Sequence, residues 1–191
     1  FNIAMEDLEI RGAGDILGKK QSGHIAEIGM ALYTQMLRKA LADPEKEEGD
    51  LEVEIESTIN VSIPKEFISS VGKKLELYRK INSAKSIAQI DDIKKEIEDR
   101  FGMIPKSVHN ALQEQKVRVK TGKLGIKKVT IKKHSVILQT HSSNNLDINK
   151  LLEKGGSLWE ARIQGPCQIS LFKKSIKEII SYDEIVDILY N

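Results

Sequence analysis

The stretch SIAQIDDIKKEIEDRFGMIP, Ser86–Pro105, has both of its ends marked. Ser86 followed three residues later by Gln89 is the signature of a helix N-terminus, where the hydroxyl takes a free backbone amide and the amide side chain reaches back. Ile87, Ile90, Ile93, Ile97 and Phe101 then recur at helical spacing. Gly102 stops the helix and Pro105 bars its return. A helix with one apolar stripe must bury it against another element. The segments on either side therefore decide the fold.

Before it, Phe67, Ile68, Val71, Leu75, Tyr78 and Ile81 predict a helix over Lys65–Ser83. After it, a third helix is expected over Lys106–Lys120, ending near Gly122. Strand patterns follow. IKKVTIKK and SVILQTH flank a short polar turn and predict a hairpin. NNLDINKLLEKG predicts a helix closed by Gly155, and LWEARIQGPCQISLF predicts two strands broken at Gly165–Pro166. SIKEII reads as helical, and Ser181 with Glu184 caps a final helix. Upstream, LEVEIESTINVSIP alternates over Val53, Ile55, Ile59, Val61 and Ile63 with a phase slip near Ser57, as a strand or extended tether does. The expected class is α+β, a compact domain of mixed helices and a small antiparallel sheet over 64–191. Residues 51–63 form the tether or strand. Residues 1–50, ending in the acidic linker DPEKEEGD, form a helix, glycine loop and helix.

Composition removes several functions. The chain has 191 residues, a formal net charge of +2, and only 5% aromatic residues, so stacking of bases on exposed rings is a poor basis for its chemistry. Cys167 is the only cysteine, which excludes an internal disulfide or a cysteine-based zinc site and suits a reducing, cytoplasmic compartment. No apolar run reaches the roughly 18–20 residues of a membrane span, so no membrane partner is expected. The four histidines (His24, His109, His134, His141) are scattered without metal-ligand spacing; no metal is expected, and the last three read as surface residues. No G-x-S-x-G elbow occurs, and no catalytic residue is assigned. The opening FNIAMEDLEI starts mid-pattern, so the sequence is expected to be a piece of a longer protein.

The segment EIRGAGDILGKKQSGH, Glu9–His24, raises the question of a phosphate cradle. A P-loop needs four residues between its glycines and a Lys followed by Ser or Thr. Here five residues separate Gly12 from Gly18, three separate Gly14 from Gly18, and Lys19 is followed by Lys20. G-x-G-x-x-G fails as well, because Gly18 comes one residue too late. The acidic residues before it are not a buried strand.

The same residues carry a resemblance. D-L-E-I-R-G-x-G at Asp7–Gly14 and L-G-x-x-Q-S-G at Leu17–Gly23 resemble the translocation motif shared by the RecG and Mfd families of bacterial DNA motors. The continuation through VEIESTINVSIPKEFI and KLELYRKINSAKS…EIEDRFGMIP is similar to the Mfd family, the transcription-repair coupling factors. The resemblance spans nearly the whole chain. It implies a parent that is a superfamily-2 ATP hydrolase translocating on double-stranded DNA, using ATP and Mg, displacing RNA polymerase and recruiting UvrA in nucleotide excision repair. It implies that the ATPase motifs lie upstream, so this piece needs no cofactor and is inactive alone. Glu9, Arg11, Gly12, Gly14, Gly18, Gln21 and Gly23 would then couple motor closure to a step along DNA. Glycines at 12 and 14 allow left-handed backbone and close approach. Gln21 offers a donor and an acceptor without charge, Arg11 a fixed fork, and Lys19 and Lys20 attraction to phosphate.

For the C-terminal domain the resemblance implies an autoinhibitory latch on a UvrB-like N-terminal module, masking the surface that binds UvrA. Two charged faces are candidates. The first is acidic, on the Ile87–Phe101 helix: Asp91, Asp92, Glu96, Glu98 and Asp99. The second is a basic block over 116–133: Lys116, Arg118, Lys120, Lys123, Lys127, Lys128, Lys132 and Lys133, with no acid between Glu114 and Asp147. A solvated helix face and a solubilising charge run are the plain alternatives. A further alternative is a nucleic-acid-binding module acting without sequence preference through the basic block.

Overall fold

The computed structural model describes residues 53–141, 148, 158–175 and 178–189. The translocation motif and the Asn144–Gly155 helix, apart from Ile148, lie outside the described residues. Along the chain come β1 (Glu54–Ser57), α1 (Val71–Ser83), α2 (Ile87–Phe101), α3 (Lys106–Lys123), β2 (Ile126–Ile131), β3 (Ser135–Thr140), β4 (Trp159–Ile163), β5 (Gln168–Lys173) and α4 (Tyr182–Ile188).

The domain is α+β, with one sheet of order β1-β2-β3-β5-β4. The sheet is mixed rather than antiparallel throughout: β1 joins β2 in parallel, Glu54 opposite Lys128 and Ser57 opposite Ile131. Two parallel neighbours need a crossover connection, and α1–α3 supply it. The other pairs are antiparallel. A bulge between Ile126 and Lys128 interrupts the β2–β3 register. It lets Ile126 and Val129, three residues apart, both point into the core, where each is fully buried. Gly165, at φ 127°, turns the chain between β4 and β5 in a conformation that a side chain would strain.

α3 is the central helix, packing on α1, α2, α4, β1 and β2. Its Val108, Ala111, Leu112 and Val117 are buried, as are Ile90, Ile93 and Ile97 of α2, Ile81 of α1, Ile185 of α4, and Val129, Leu138 and Ile169 of the sheet. Polar residues of α3 tie down the loops around it. Gln115 donates to the carbonyls of Ala84 at 2.9 Å and Asn82 at 3.2 Å, and Asn110 to that of Asn60 at 2.9 Å. Loop carbonyls covered by the core need such partners.

Helix ends follow the capping chemistry, with three departures from expectation. The Ser86 hydroxyl accepts from the Gln89 amide at 3.2 Å, while Gln89 reaches one residue further back, to the Lys85 amide at 2.8 Å. Ser181 and Glu184 form the full reciprocal box. α1 begins at Val71 and not at Lys65, because the Pro64 carbonyl closes a separate turn with the amides of Phe67 and Ile68, and Ser70 caps the helix. The expected SIKEII helix is absent from the described part, Ser175 and Glu178–Ile180: the Ile180 amide is taken by the Lys133 carbonyl in the β2–β3 turn.

Candidate functional site

α2 carries its acids on the side away from its apolar stripe, but they are not equivalent. Asp91 accepts from Lys116 of α3 at 2.6 Å, and the lysine side chain is only 15% exposed. This pair is a tie between helices. Glu96 accepts from Lys80 of α1 and from Arg100 at 3.2 Å. The hydrogen bond from Lys80, helped by Arg100, outweighs partial burial and holds the Glu96 carboxyl below its ordinary value. Asp92 and Glu98 are more open, with Lys95 and Lys94 each at a loose 3.7 Å, and Asp99 is exposed. Beside them runs a cleft between α1 and α2 floored by Leu77, Ile93, Ile97 and Phe101. Phe101 stacks obliquely on Phe67, and Gly102 (φ 79°) turns the chain so that Met103 stands out in solvent. The outer α2 surface therefore offers Asp92, Glu98 and Asp99, flanked by an apolar tip.

The basic block is not one surface. Lys116 goes to Asp91. Arg118 turns inward to Glu114 at 3.1 Å and to the Val53 carbonyl. Lys120 is buried. Lys128 lies between Glu54 at 3.2 Å and Glu56 at 3.3 Å on β1; the hydrogen bonds it donates to Glu54 first, then to Glu56, raise its pKa. Lys123, Lys127, Lys132 and Lys133 are exposed, on the end of α3, on β2 and in the hairpin turn. Positive charge consecutive in sequence is thus divided between internal ties and scattered surface points.

The histidine expectations are corrected in two places. His109 is half-buried and sits 2.9 Å from the Asp183 carboxylate, joining α3 to α4. His134 is half-buried in the hairpin turn with its Nδ1 shielded from solvent. His141 is exposed. Among the described residues no cluster of His, Cys, Asp and Glu could hold a metal ion, and no helix is long and apolar enough to cross a membrane.

Two buried polar sites escaped the sequence reading. In the first, the fully buried Tyr182 of α4 donates to Glu114 at 2.6 Å, and Glu114 also takes Arg118. Burial, then the Glu114 charge, pushes the Tyr182 phenol far above its ordinary value of 10.0. The Glu114–Arg118 spacing of four was a readable helix pair; its tyrosine was not. In the second, Lys173, with a side chain only 4% exposed, donates to Glu184 at 2.6 Å and Glu178 at 3.0 Å. Burial pushes the Glu184 carboxyl up, but bonds from Lys173 and Ser181 outweigh it and leave its pKa lowered.

Against known proteins, residues 57–151 match the TRCF domain model. The chain is 30% identical over 99% of its length to the transcription-repair-coupling factor of Haemophilus influenzae, and 32% identical over 91% to that of Escherichia coli. The chain belongs to the transcription-repair-coupling factor family. It spans 17% and 16% of the length of these two curated relatives. The relative in Staphylococcus aureus USA300 is 38% identical over 75% of the chain. A solved C-terminal domain of transcription-repair coupling factor superposes with a TM-score of 0.61, covering 74% of this chain and 89% of that one at 20% identity, and so shares the fold. The described α+β domain is thus the fold of the C-terminal domain of this family.

Proposed function

We propose that the chain is the C-terminal part of an ATP-driven double-stranded DNA translocase that couples transcription to nucleotide excision repair. Its α+β domain is an autoinhibitory latch that docks on the parent's own UvrB-like module and masks the surface for UvrA. Residues 1–50 serve the motor: Arg11 and Gln21 make the contacts that turn lobe closure into a step along the duplex, with Lys19 and Lys20 drawn to its phosphates. The family membership supports the general role, and the span of 17% of a relative supports its being one part of the whole machine.

The observation that carries the latch is the division of charge. Asp92, Glu98 and Asp99 stay at the surface of α2, whereas Lys116, Arg118 and Lys128 are diverted into pairs within the domain. A contact that must release is better served by exposed charges, which steer and specify, than by a large apolar face. The diversion of the basic block also weighs against a nucleic-acid module, since binding to phosphate scales with the cations that can reach it.

Fluorescence anisotropy of the labelled 191-residue chain tests this. It is titrated with the parent's UvrB-like module and, in parallel, with duplex DNA. Saturable binding to the module that survives deletion of residues 1–50 is expected. Binding to DNA by the same truncated chain, with the module inert, overturns the latch.

A further inference from the structure

Val53 leads from the upstream chain into β1, and its carbonyl is held by Arg118 of α3. Arg118 is held by Glu114 one turn earlier, at 3.1 Å, and Glu114 accepts from Tyr182 of α4 at 2.6 Å. The start of β1 therefore reaches α4 through groups withdrawn from water: Tyr182 is fully buried, and the Glu114 and Arg118 side chains are 12% and 17% exposed. β1 is otherwise held by its pairing with β2 and by Lys128 and Thr130, which donate to Glu54 and Glu56. It is four residues long, it is an edge strand paired on one side, to β2, and Glu54 and Glu56 point to solvent.

We propose that Tyr182, Glu114 and Arg118 form a buried clasp through which docking of α4 and pairing of β1 depend on each other, so that a pull on the chain upstream of Val53 is felt at α4 and undocking of α4 loosens β1. The physical basis is the cost of stranding a buried charge. If Tyr182 leaves, Glu114 loses a short hydrogen bond and water reaches the Glu114–Arg118 pair, which weakens the grip on Val53. If β1 leaves, Arg118 loses its carbonyl partner and the Glu114 carboxylate is held less well for Tyr182. Coupling of this kind is reciprocal by thermodynamic necessity. α1 and α2 lie outside the clasp: the polar ties of α3 to them are Gln115 to the Asn82 carbonyl and the Lys116–Asp91 pair.

Hydrogen exchange on the whole 191-residue chain, read by peptide, tests it with Y182F and R118K. Y182F keeps the ring in the core and removes one hydroxyl. We expect exchange in α4 and over Val53–Ser57 to rise about tenfold or more, the ratio set by a lost hydrogen bond to a charged group, with α1 and α2 within twofold of the parent chain. R118K keeps a positive charge near Glu114 but cannot fork to Val53, and exchange in α4 is expected to rise along with that in β1. Unchanged β1 exchange in Y182F, or unchanged α4 exchange in R118K, overturns the clasp. So does a rise of equal size in α1 and α2, which would mean a general loss of stability.

Discussion

α2 and α3 both carry charged residues along much of their length and use them in opposite directions. α2 turns Asp92, Glu98 and Asp99 to water and gives up Asp91 and Glu96 to its neighbours. α3, packed on α1, α2, α4, β1 and β2, has little outer surface to give, so its Glu114, Arg118 and Lys116 become ties between elements. A run of like charge in a sequence is a surface only where the helix that bears it has a free side. That is why the acidic run remains a candidate contact and the basic one does not form a stripe.

Removing groups from the inward region should have the largest effects. Glu114→Ala leaves Arg118 and Tyr182 buried without their carboxylate and should cost about 3–5 kcal/mol, the range for breaking one side of a buried pair, read as a shift of the urea midpoint at constant m-value. Lys173→Ala should cost about 1.5 kcal/mol, at the low end for bonds to charged groups because Glu178 is 73% exposed. Ser181→Ala removes the hydroxyl half of the α4 capping box and should cost about 1 kcal/mol.

The inward region also sets an alkaline limit. A tyrosine whose folded pKa lies above its unfolded value keeps its full stabilisation below that unfolded value, about 10, and loses it as pH rises further. Lys173 and Lys128, both raised, act in the same direction. Stability should therefore fall from about pH 10 upward, and Tyr182→Phe should flatten that fall; an equally steep fall in the variant would show that Tyr182 does not titrate with unfolding. The smallest effect on stability belongs to the outer face: Asp92→Asn should change it by no more than about 0.5 kcal/mol. A larger loss would mean that Asp92 is structural and that the two regions differ less than described.

Much of the fold was legible because its signals are local. The Ser86–Gly102 helix, the β2–β3 hairpin, the Gly165 turn and the Ser181 box rest on residues a few positions apart, where capping and turn chemistry act. Three things were not legible. The parallel seat of β1 depends on a partner more than seventy residues away. The end of the expected SIKEII helix is lost to a tertiary hydrogen bond from Ile180 to Lys133. The fate of the basic block depends on which of its lysines find carboxylates across the fold, as Lys128 finds Glu54. The acidic face of α2 was visible as a pattern, but Asp91 could not be separated from Asp92 until α3 was seen to claim it.

The central claim is that the outer acids of α2 make the latch contact. The most direct measurement is the affinity of the 191-residue chain for the parent's UvrB-like module with Asp92 and Asp99 changed to lysine, beside a control with Lys127 and Lys132 changed to glutamate, each at low and high salt. The account predicts that the aspartate reversal weakens binding at least tenfold and flattens its salt dependence, while the lysine reversal leaves it within twofold. Unchanged binding with the aspartates reversed, or loss of binding only with the lysines reversed, would contradict it.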